Sequence, residues 1–324
     1  MAASVIDYPH GISAIDSGYV RPMLDAIHVI VEDGRVAVVD TGTNDSVPFV
    51  LDALAAKGLG PEAIDFVILT HVHLDHAGGA GLLMQKAPNA KLVVHPRGAR
   101  HMIDPSKLMQ ATRDVYGVEA ATAMYGDIVP VQAARVIETS DGSTVSLAGR
   151  TLTFYDTPGH AKHHNCIRDA KTGHLFTGDM FGLSYRELDR DGRQFVFPAT
   201  TPSQFDPDAF HRSIDRMTAL EPEALYLTHY GRVVDVPRIA RDLLRLVDAH
   251  AAVGRRCATI ADAATRATAL KDGIRTIALD EAKRSGWGVD EAGVLEVLKM
   301  DIVLNADGLE SWIANGGATA RAAA

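Results

Sequence analysis

Three histidines and one aspartate occupy six consecutive positions of the sequence: His71, His73, Asp75 and His76. Imidazole and carboxylate groups bind zinc, manganese and iron, and four of them on one loop have the capacity to hold more than one ion. Their spacing fits neither one face of a helix nor one face of a strand. We therefore expect them to fan out from a loop behind the apolar strand 66–69, with Gly78 and Gly79 freeing the backbone where the next helix begins.

Single residues of the same chemical types follow three further strand-like runs. His160 follows the alternating run 151–156 and a Pro-Gly turn. Asp179 and His229 each stand directly behind a short apolar run. One such residue after a strand is commonly a cap or turn residue. Together with the loop, however, they supply five histidines and two aspartates, enough for two adjacent ions.

In these motifs the chain resembles the metallo-β-lactamase-fold hydrolase superfamily, in its general hydrolase branch rather than the true β-lactamases. The resemblance covers roughly residues 10 to 232 and rests on HVHLDHAGG, DTPGH, TGDM and LTHYG, in that order. It implies two divalent metal ions, with zinc expected first and iron or manganese as alternatives. The implied ligands are His71, His73 and His160 for the first ion, Asp75, His76 and His229 for the second, and Asp179 as the bridge.

The fold that the resemblance implies is α/β (α+β), a four-layer αββα sandwich with two facing β-sheets, helices outside and the metal site at one rim. We predict a catalytic domain over residues 1–235, with a helical lid inserted at 97–132. Residues 236–324 are Ala- and Leu-rich with helical spacing, which predicts a small C-terminal helical extension, frayed at its end.

The lid region carries methionine and tyrosine side chains, including Met124 and Tyr125, and has two interpretations. Apolar helical stripes commonly pack against a core or a second subunit, which here would give a homodimer. Alternatively, methionine and tyrosine suit an adaptable apolar pocket, so that the lid forms a wall against the substrate.

Three further residues near the predicted ligands are candidates for supporting roles. His164 lies four positions after His160, and we expect it to orient the loop by hydrogen bonding rather than to bind metal. Tyr185 and Tyr230 are candidate substrate contacts, although a buried Tyr230 that anchors its own loop is an equal alternative.

Composition restricts the partners and the location. The net charge of −9 argues against a nucleic-acid partner, and we expect a small-molecule substrate. The two cysteines cannot form a disulfide framework and fit the reducing cytoplasm. We identify no signal peptide, and the longest apolar runs are far shorter than the roughly 18 residues of a membrane span.

The predicted reaction is hydrolysis of an ester, thioester or lactone by a metal-bridging hydroxide, with Asp75 as acid and base. Phosphodiester cleavage on the same ions is an alternative. A mononuclear iron oxidoreductase of the persulfide dioxygenase kind would use His71, His160 and Asp179. A third alternative is a metal-bearing sensor without efficient turnover. True β-lactam hydrolases have Cys or Ser in place of Asp179, and the Gly-Cys-Gly-Arg stretch typical of hydroxyacylglutathione hydrolases and persulfide dioxygenases is absent here.

Overall fold

The computed structural model describes residues 4–286 and 288–318. The chain divides into two compact units. The first contains the residues up to Asp156, His163–Gly178 and Leu225–Arg232. The second contains Thr157–Lys162, Asp179–Ala224 and the residues from Val233 onward.

Seven strands form the first sheet, in chain order: β1 Val5–Tyr8, β2 Ile12–Asp16, β3 Ala26–Glu32, β4 Arg35–Val39, β5 Ile64–Ile68, β6 Lys91–Val94 and β7 Val136–Glu138. Strands β1 to β4 pair antiparallel, and β4 to β7 pair parallel. Asp33 and Gly34 connect β3 to β4, and both have positive φ, as a tight two-residue hairpin turn requires.

The second sheet has six strands: β8 Thr144–Leu147, β9 Arg150–Asp156, β10 Asn165–Asp169, β11 Leu175–Gly178, β12 Leu225–Leu227 and β13 Gly231–Val233. Their order across the sheet is β13, β12, β11, β10, β9, β8. Buried side chains from both sheets form one cluster, in which Ile30 and Val39 of the first sheet join Phe154 and Phe176 of the second. The two sheets therefore pack face to face, as predicted.

The helices of the first unit are α1 Val47–Ala56, α2 Leu74–Ala77, α3 Ala80–Lys86, α4 Pro96–Ile103, α5 Ser106–Tyr116 and α6 Val118–Tyr125. On the outer face of the first sheet, Val50 of α1, Leu83 of α3 and Met102 of α4 belong to the same buried cluster as Val38 and Val67 of the strands. Helices α4 to α6 occupy most of the segment predicted as a lid.

The second unit contains α7 Pro207–Thr218, α8 Val236–Cys257, α9 Ala263–Ser285, α10 Glu291–Val297 and α11 Lys299–Ala314. The helices after residue 236 agree with the expected helical extension. The division of the chain differs from the expected boundary at residue 235, because residues 179–224 cluster with these helices. Residues 319–324, the end of the expected frayed tail, lie outside the described residues. Among the described helices, none is long and apolar enough to cross a lipid bilayer.

Candidate metal centre

Asp40, directly after β4, connects the ends of three strands. One of its carboxylate oxygens, Oδ1, accepts a hydrogen bond from the backbone N–H of Thr70, which follows β5 (2.9 Å). The other, Oδ2, accepts from the Thr228 hydroxyl behind β12 (2.8 Å) and lies 2.8 Å from Nδ1 of His76. The carboxylate is buried, so these bonds fix the loops that carry the predicted ligands.

Asp75, His76 and His229 bring three ligand atoms together. Oδ2 of Asp75 lies 3.6 Å from Nε2 of His76 and 3.7 Å from Nε2 of His229. All three atoms lie within 4.8 Å of one another, a spacing that allows one ion to contact all of them. The histidines are buried, whereas the Asp75 side chain is one-fifth exposed, so that this group is open on the Asp75 side.

The remaining nitrogens of these histidines contact buried carboxylates. Nδ1 of His229 lies 2.7 Å from Oδ1 of Asp25, and Nδ1 of His76 lies 2.8 Å from Asp40. Burial raises the pKa of Asp25, while the charge of His229 opposes that rise. A carboxylate at Nδ1 keeps the proton on that nitrogen and turns the lone pair of Nε2 toward Asp75, as metal-binding histidines require. The donor set therefore fits a divalent ion.

His71 and His73 form a second pair of donors in the same loop. Nε2 of His71 lies 2.9 Å from Nδ1 of His73, and Nδ1 of His71 lies 3.2 Å from the Thr70 hydroxyl. The ring of His163 lies nearly parallel to that of His71, with centroids 6.1 Å apart. His164 is fully buried, and its ring centroid is 5.2 Å from that of His71. Its expected role in orienting the loop by hydrogen bonding stays a prediction.

The two glycines after the loop have a different structural role from the one predicted from the sequence. Gly78 and Gly79 have φ of −60° and −83°, ordinary helical values that any residue adopts. Their lack of a side chain is what matters, since a Cβ at Gly79 would lie 2.5 Å from the carbonyl oxygen of Thr43. The expectation of a conformationally freed backbone was therefore wrong. Close packing of the helix start against residues 41–43 explains the pair.

His160 and Asp179 lie in the second unit, where they form a buried pair. Nε2 of His160 is 3.4 Å from Oδ2 of Asp179. Nδ1 of His160 is 2.8 Å from the backbone carbonyl oxygen of Ala199, which fixes the proton on Nδ1 and leaves the Nε2 lone pair directed at Asp179. This geometry also suits metal binding.

Tyr185 and Tyr230, two predicted substrate contacts, are both fully buried. The Tyr185 hydroxyl donates a hydrogen bond to the carboxylate of Asp301 in α11 (3.2 Å). Tyr230 packs with Ala14 and Ala26 of the first sheet, which agrees with the alternative that it anchors its own loop.

The lid brings Tyr125 to Tyr19, a residue that the sequence analysis did not identify. The Tyr19 hydroxyl donates to the Tyr125 hydroxyl (2.8 Å), and their rings stack with centroids 5.8 Å apart. Burial, followed by the charge of Asp75, raises the pKa of both hydroxyls. Met124, the other predicted lid contact, is half-buried.

Asp25 and Asp40 were not predicted as supports for the histidines. The sequence signal that marks Asp40 is its position in a loop directly after a strand. Parallel strands end at the same edge of a sheet, so such a residue lies beside the loop that follows β5. Asp25 and Tyr19 lie in an irregular segment between β2 and β3, where the sequence offers no periodic pattern.

The facing sheets and the buried histidine and aspartate groups define the class of protein, a mixed α/β sandwich with residues suited to holding metal ions. Over residues 25–229 the chain matches the sequence pattern of the metallo-beta-lactamase superfamily, and it belongs to that superfamily.

Relatives and solved structures agree with this assignment. The chain is 26% identical over 244 residues to a metallo-beta-lactamase fold-containing protein of Sulfurisphaera tokodaii, covering 72% of this chain and 83% of that protein. It is 28% identical over 213 residues to a hydroxyacylglutathione hydrolase of Xanthomonas campestris pv. campestris, covering 65% of this chain and 60% of the hydrolase. A solved archaeal superfamily protein from Sulfolobus tokodaii has a TM-score of 0.64 at 22% identity, covering 94% of this chain and 99% of that one. A metallo-beta-lactamase family protein from Thermus thermophilus has a TM-score of 0.64 at 21% identity, covering 95% and 94%. The predicted family and fold are confirmed.

Proposed function

We propose that this protein is a dinuclear metal-dependent hydrolase of a small carbonyl substrate, an ester, thioester or lactone. The observation that carries the proposal is the convergence of Asp75, His76 and His229, each histidine with a buried carboxylate at its other nitrogen. A histidine that only packs in the core does not need its Nε2 lone pair held toward a partly exposed aspartate.

In this proposal the ligands fall into two sets, one for each ion. Asp75, His76 and His229 would hold one ion, and the resemblance assigns His71, His73 and His160 to the other, with Asp179 as the shared ligand. Each ion would be bound by imidazole nitrogens and a carboxylate oxygen. Zinc is the ion we propose for such ligands, with iron or manganese as alternatives. Two such ions would lower the pKa of a shared water toward about 7 and polarise the substrate carbonyl.

The residues of the chain then have distinct tasks. Asp25 and Asp40 keep the imidazoles of His229 and His76 in one orientation and one protonation state. Asp75, through the carboxylate oxygen Oδ1, takes the proton of the attacking water and passes it to the leaving group. The Asp75 side chain is one-fifth exposed, so the substrate has access to it, whereas Asp25 and Asp40 are buried.

The tyrosine pair marks the substrate side of the site. The Tyr19 hydroxyl donates a hydrogen bond to the Tyr125 hydroxyl, so Tyr125 has its own O–H to donate to a polar atom of the substrate. The neighbouring rings of Tyr19 and Tyr116 supply an apolar, rigid wall. This supports the lid as a substrate-binding element. The cytoplasmic location and a homodimer stay predictions.

Truncation of the lid tests this role. We expect Tyr125→Ala to change the ratio of kcat/KM between short and long acyl substrates by about 10-fold or more, because the lost contacts lie on the non-reacting part of the substrate. Met124→Ala should act in the same direction with a smaller effect, and both variants should keep their metal. Val115→Ala, at an exposed position of α5, is the matched control. A uniform loss across substrates with a lower Tm would show that the lid is core or interface.

A substrate panel tests the hydrolase proposal itself. Purified protein is assayed with thioesters, lactones, simple esters and phosphodiesters, before and after removal of metal by a chelator. We expect turnover of at least one carbonyl class, lost on chelation and restored by added metal. Activity toward phosphodiesters alone, or oxygen consumption with a thiol substrate, would contradict the proposal and favour one of the two alternatives. Metal binding without turnover of any substrate would favour a sensor.

A further inference from the structure

The C-terminal helix α11 holds the loop segment 198–200 by three hydrogen bonds. The backbone N–H of Thr200 donates to Oδ1 of Asn305 (2.7 Å), and Nδ2 of Asn305 donates to the carbonyl oxygen of Pro198 (2.8 Å). The Thr200 hydroxyl donates to the backbone carbonyl oxygen of Asn305 (3.2 Å). Asn305 is buried, so its amide has no water to replace these partners, and the bonds secure the segment on both sides of Ala199.

Gly308 brings the same segment against the helix backbone. It lies three residues after Asn305 in α11 and therefore on the same face. A Cβ at this position would overlap the carbonyl oxygen of Thr200, so any larger residue must displace either the helix or the loop. Two independent features of α11, an amide and a missing side chain, thus determine where Ala199 lies.

Ala199 is the residue whose carbonyl oxygen accepts from Nδ1 of His160 (2.8 Å). That bond selects the tautomer of His160 and directs Nε2 toward Asp179, 3.4 Å away. We propose that Asn305 and Gly308 are positioning residues for His160, acting through Ala199 to hold its imidazole ready for metal. The inference rests on the proposed function, because it assigns His160 to one of two metal ions.

The proposal gives the C-terminal helices a role in the site, although they contribute no predicted ligand. The segment 198–200 belongs to residues 179–224, which cluster with those helices. Removal of a support one step behind a metal-binding histidine typically weakens metal binding about 10- to 100-fold. The effect should be confined to the ion that His160 binds, since the group of Asp75, His76 and His229 has its own supports in the other unit.

The experiment compares Asn305→Ala and Gly308→Ala with two controls in the same helix. Leu309→Ala removes a buried side chain that faces Gly254 of α8, and Val303→Ala changes an exposed one. Each protein is loaded with zinc, dialysed against graded chelator and analysed for metal. Loading with cobalt and recording the visible spectrum reports the coordination of each site. We expect both test variants to lose one ion at about 10-fold lower chelator concentration, with an altered cobalt spectrum, while both controls keep two ions.

Retention of both ions by Asn305→Ala and Gly308→Ala, with only a lower Tm as in Leu309→Ala, would overturn the inference. If Asn305→Ala fails to fold, Asn305→Asp decides, because it keeps the acceptor for Thr200 and replaces the donor to Pro198 by an oxygen that repels this carbonyl. Failure of the proposed function is a separate outcome. In that case the unaltered protein itself would bind fewer than two ions or hydrolyse none of the carbonyl substrates.

Discussion

The Asp75→Asn variant is expected to keep most of its metal and to lose about 10²- to 10⁴-fold in kcat. The amide oxygen of asparagine still coordinates an ion, but the amide cannot accept the proton of the attacking water. Because the change removes a step of the reaction rather than substrate binding, KM should change much less than kcat. Steady-state kinetics on protein with a measured metal content checks both parts of the prediction.

Asp104→Asn provides a matched control, since Asp104 is an exposed aspartate of the same unit at the end of α4. It should leave kcat and metal content unchanged. Unchanged turnover in a metal-loaded Asp75→Asn protein would remove the acid and base role of Asp75. A variant that loses its metal completely would show instead that Asp75 contributes chiefly as a ligand, and kcat could then not be assigned to proton transfer.

Asp179→Ala is expected to release both ions and to reduce turnover by about 100-fold or more, because in the proposed site Asp179 is the ligand that the two ions share. His229→Ala is the comparison. It removes a ligand of one ion only and should leave about one ion per chain. Metal analysis after dialysis, with circular dichroism to establish folding, distinguishes the two variants. If Asp179→Ala and His229→Ala lose the same number of ions, or if Asp179→Ala loses only one, the result would contradict the bridging role of Asp179.

Residue types and strand ends were sufficient to predict that Asp75, His76 and His229 lie close together. A loop with His71, His73, Asp75 and His76 follows β5, and the structure places them there because parallel strands carry their following loops to one edge of the sheet. The two-sheet fold came from the resemblance, which depends on four short motifs rather than on periodicity. Alternation alone would not have shown which strands share a sheet.

The supports of the donors were much less accessible to sequence analysis. Asp25, Tyr19 and Asn305 each contact a residue that is distant in sequence: His229, Tyr125 and Thr200. Such contacts depend on how segments fold back on one another, which a single sequence does not record. Gly78 and Gly79 show a related difficulty, since a glycine needed for close packing and one needed for a positive φ have the same letter.

Metal content measured together with activity tests the central claim most directly. The protein is purified without a polyhistidine tag, stripped of metal, and titrated with zinc, iron or manganese while bound metal and thioester or lactone hydrolysis are followed. The dinuclear account predicts about two ions per chain, with hydrolysis that reaches its maximum only as the second ion binds. Saturation at one tightly held iron, with oxygen-dependent oxidation of a thiol and no hydrolysis, would contradict it.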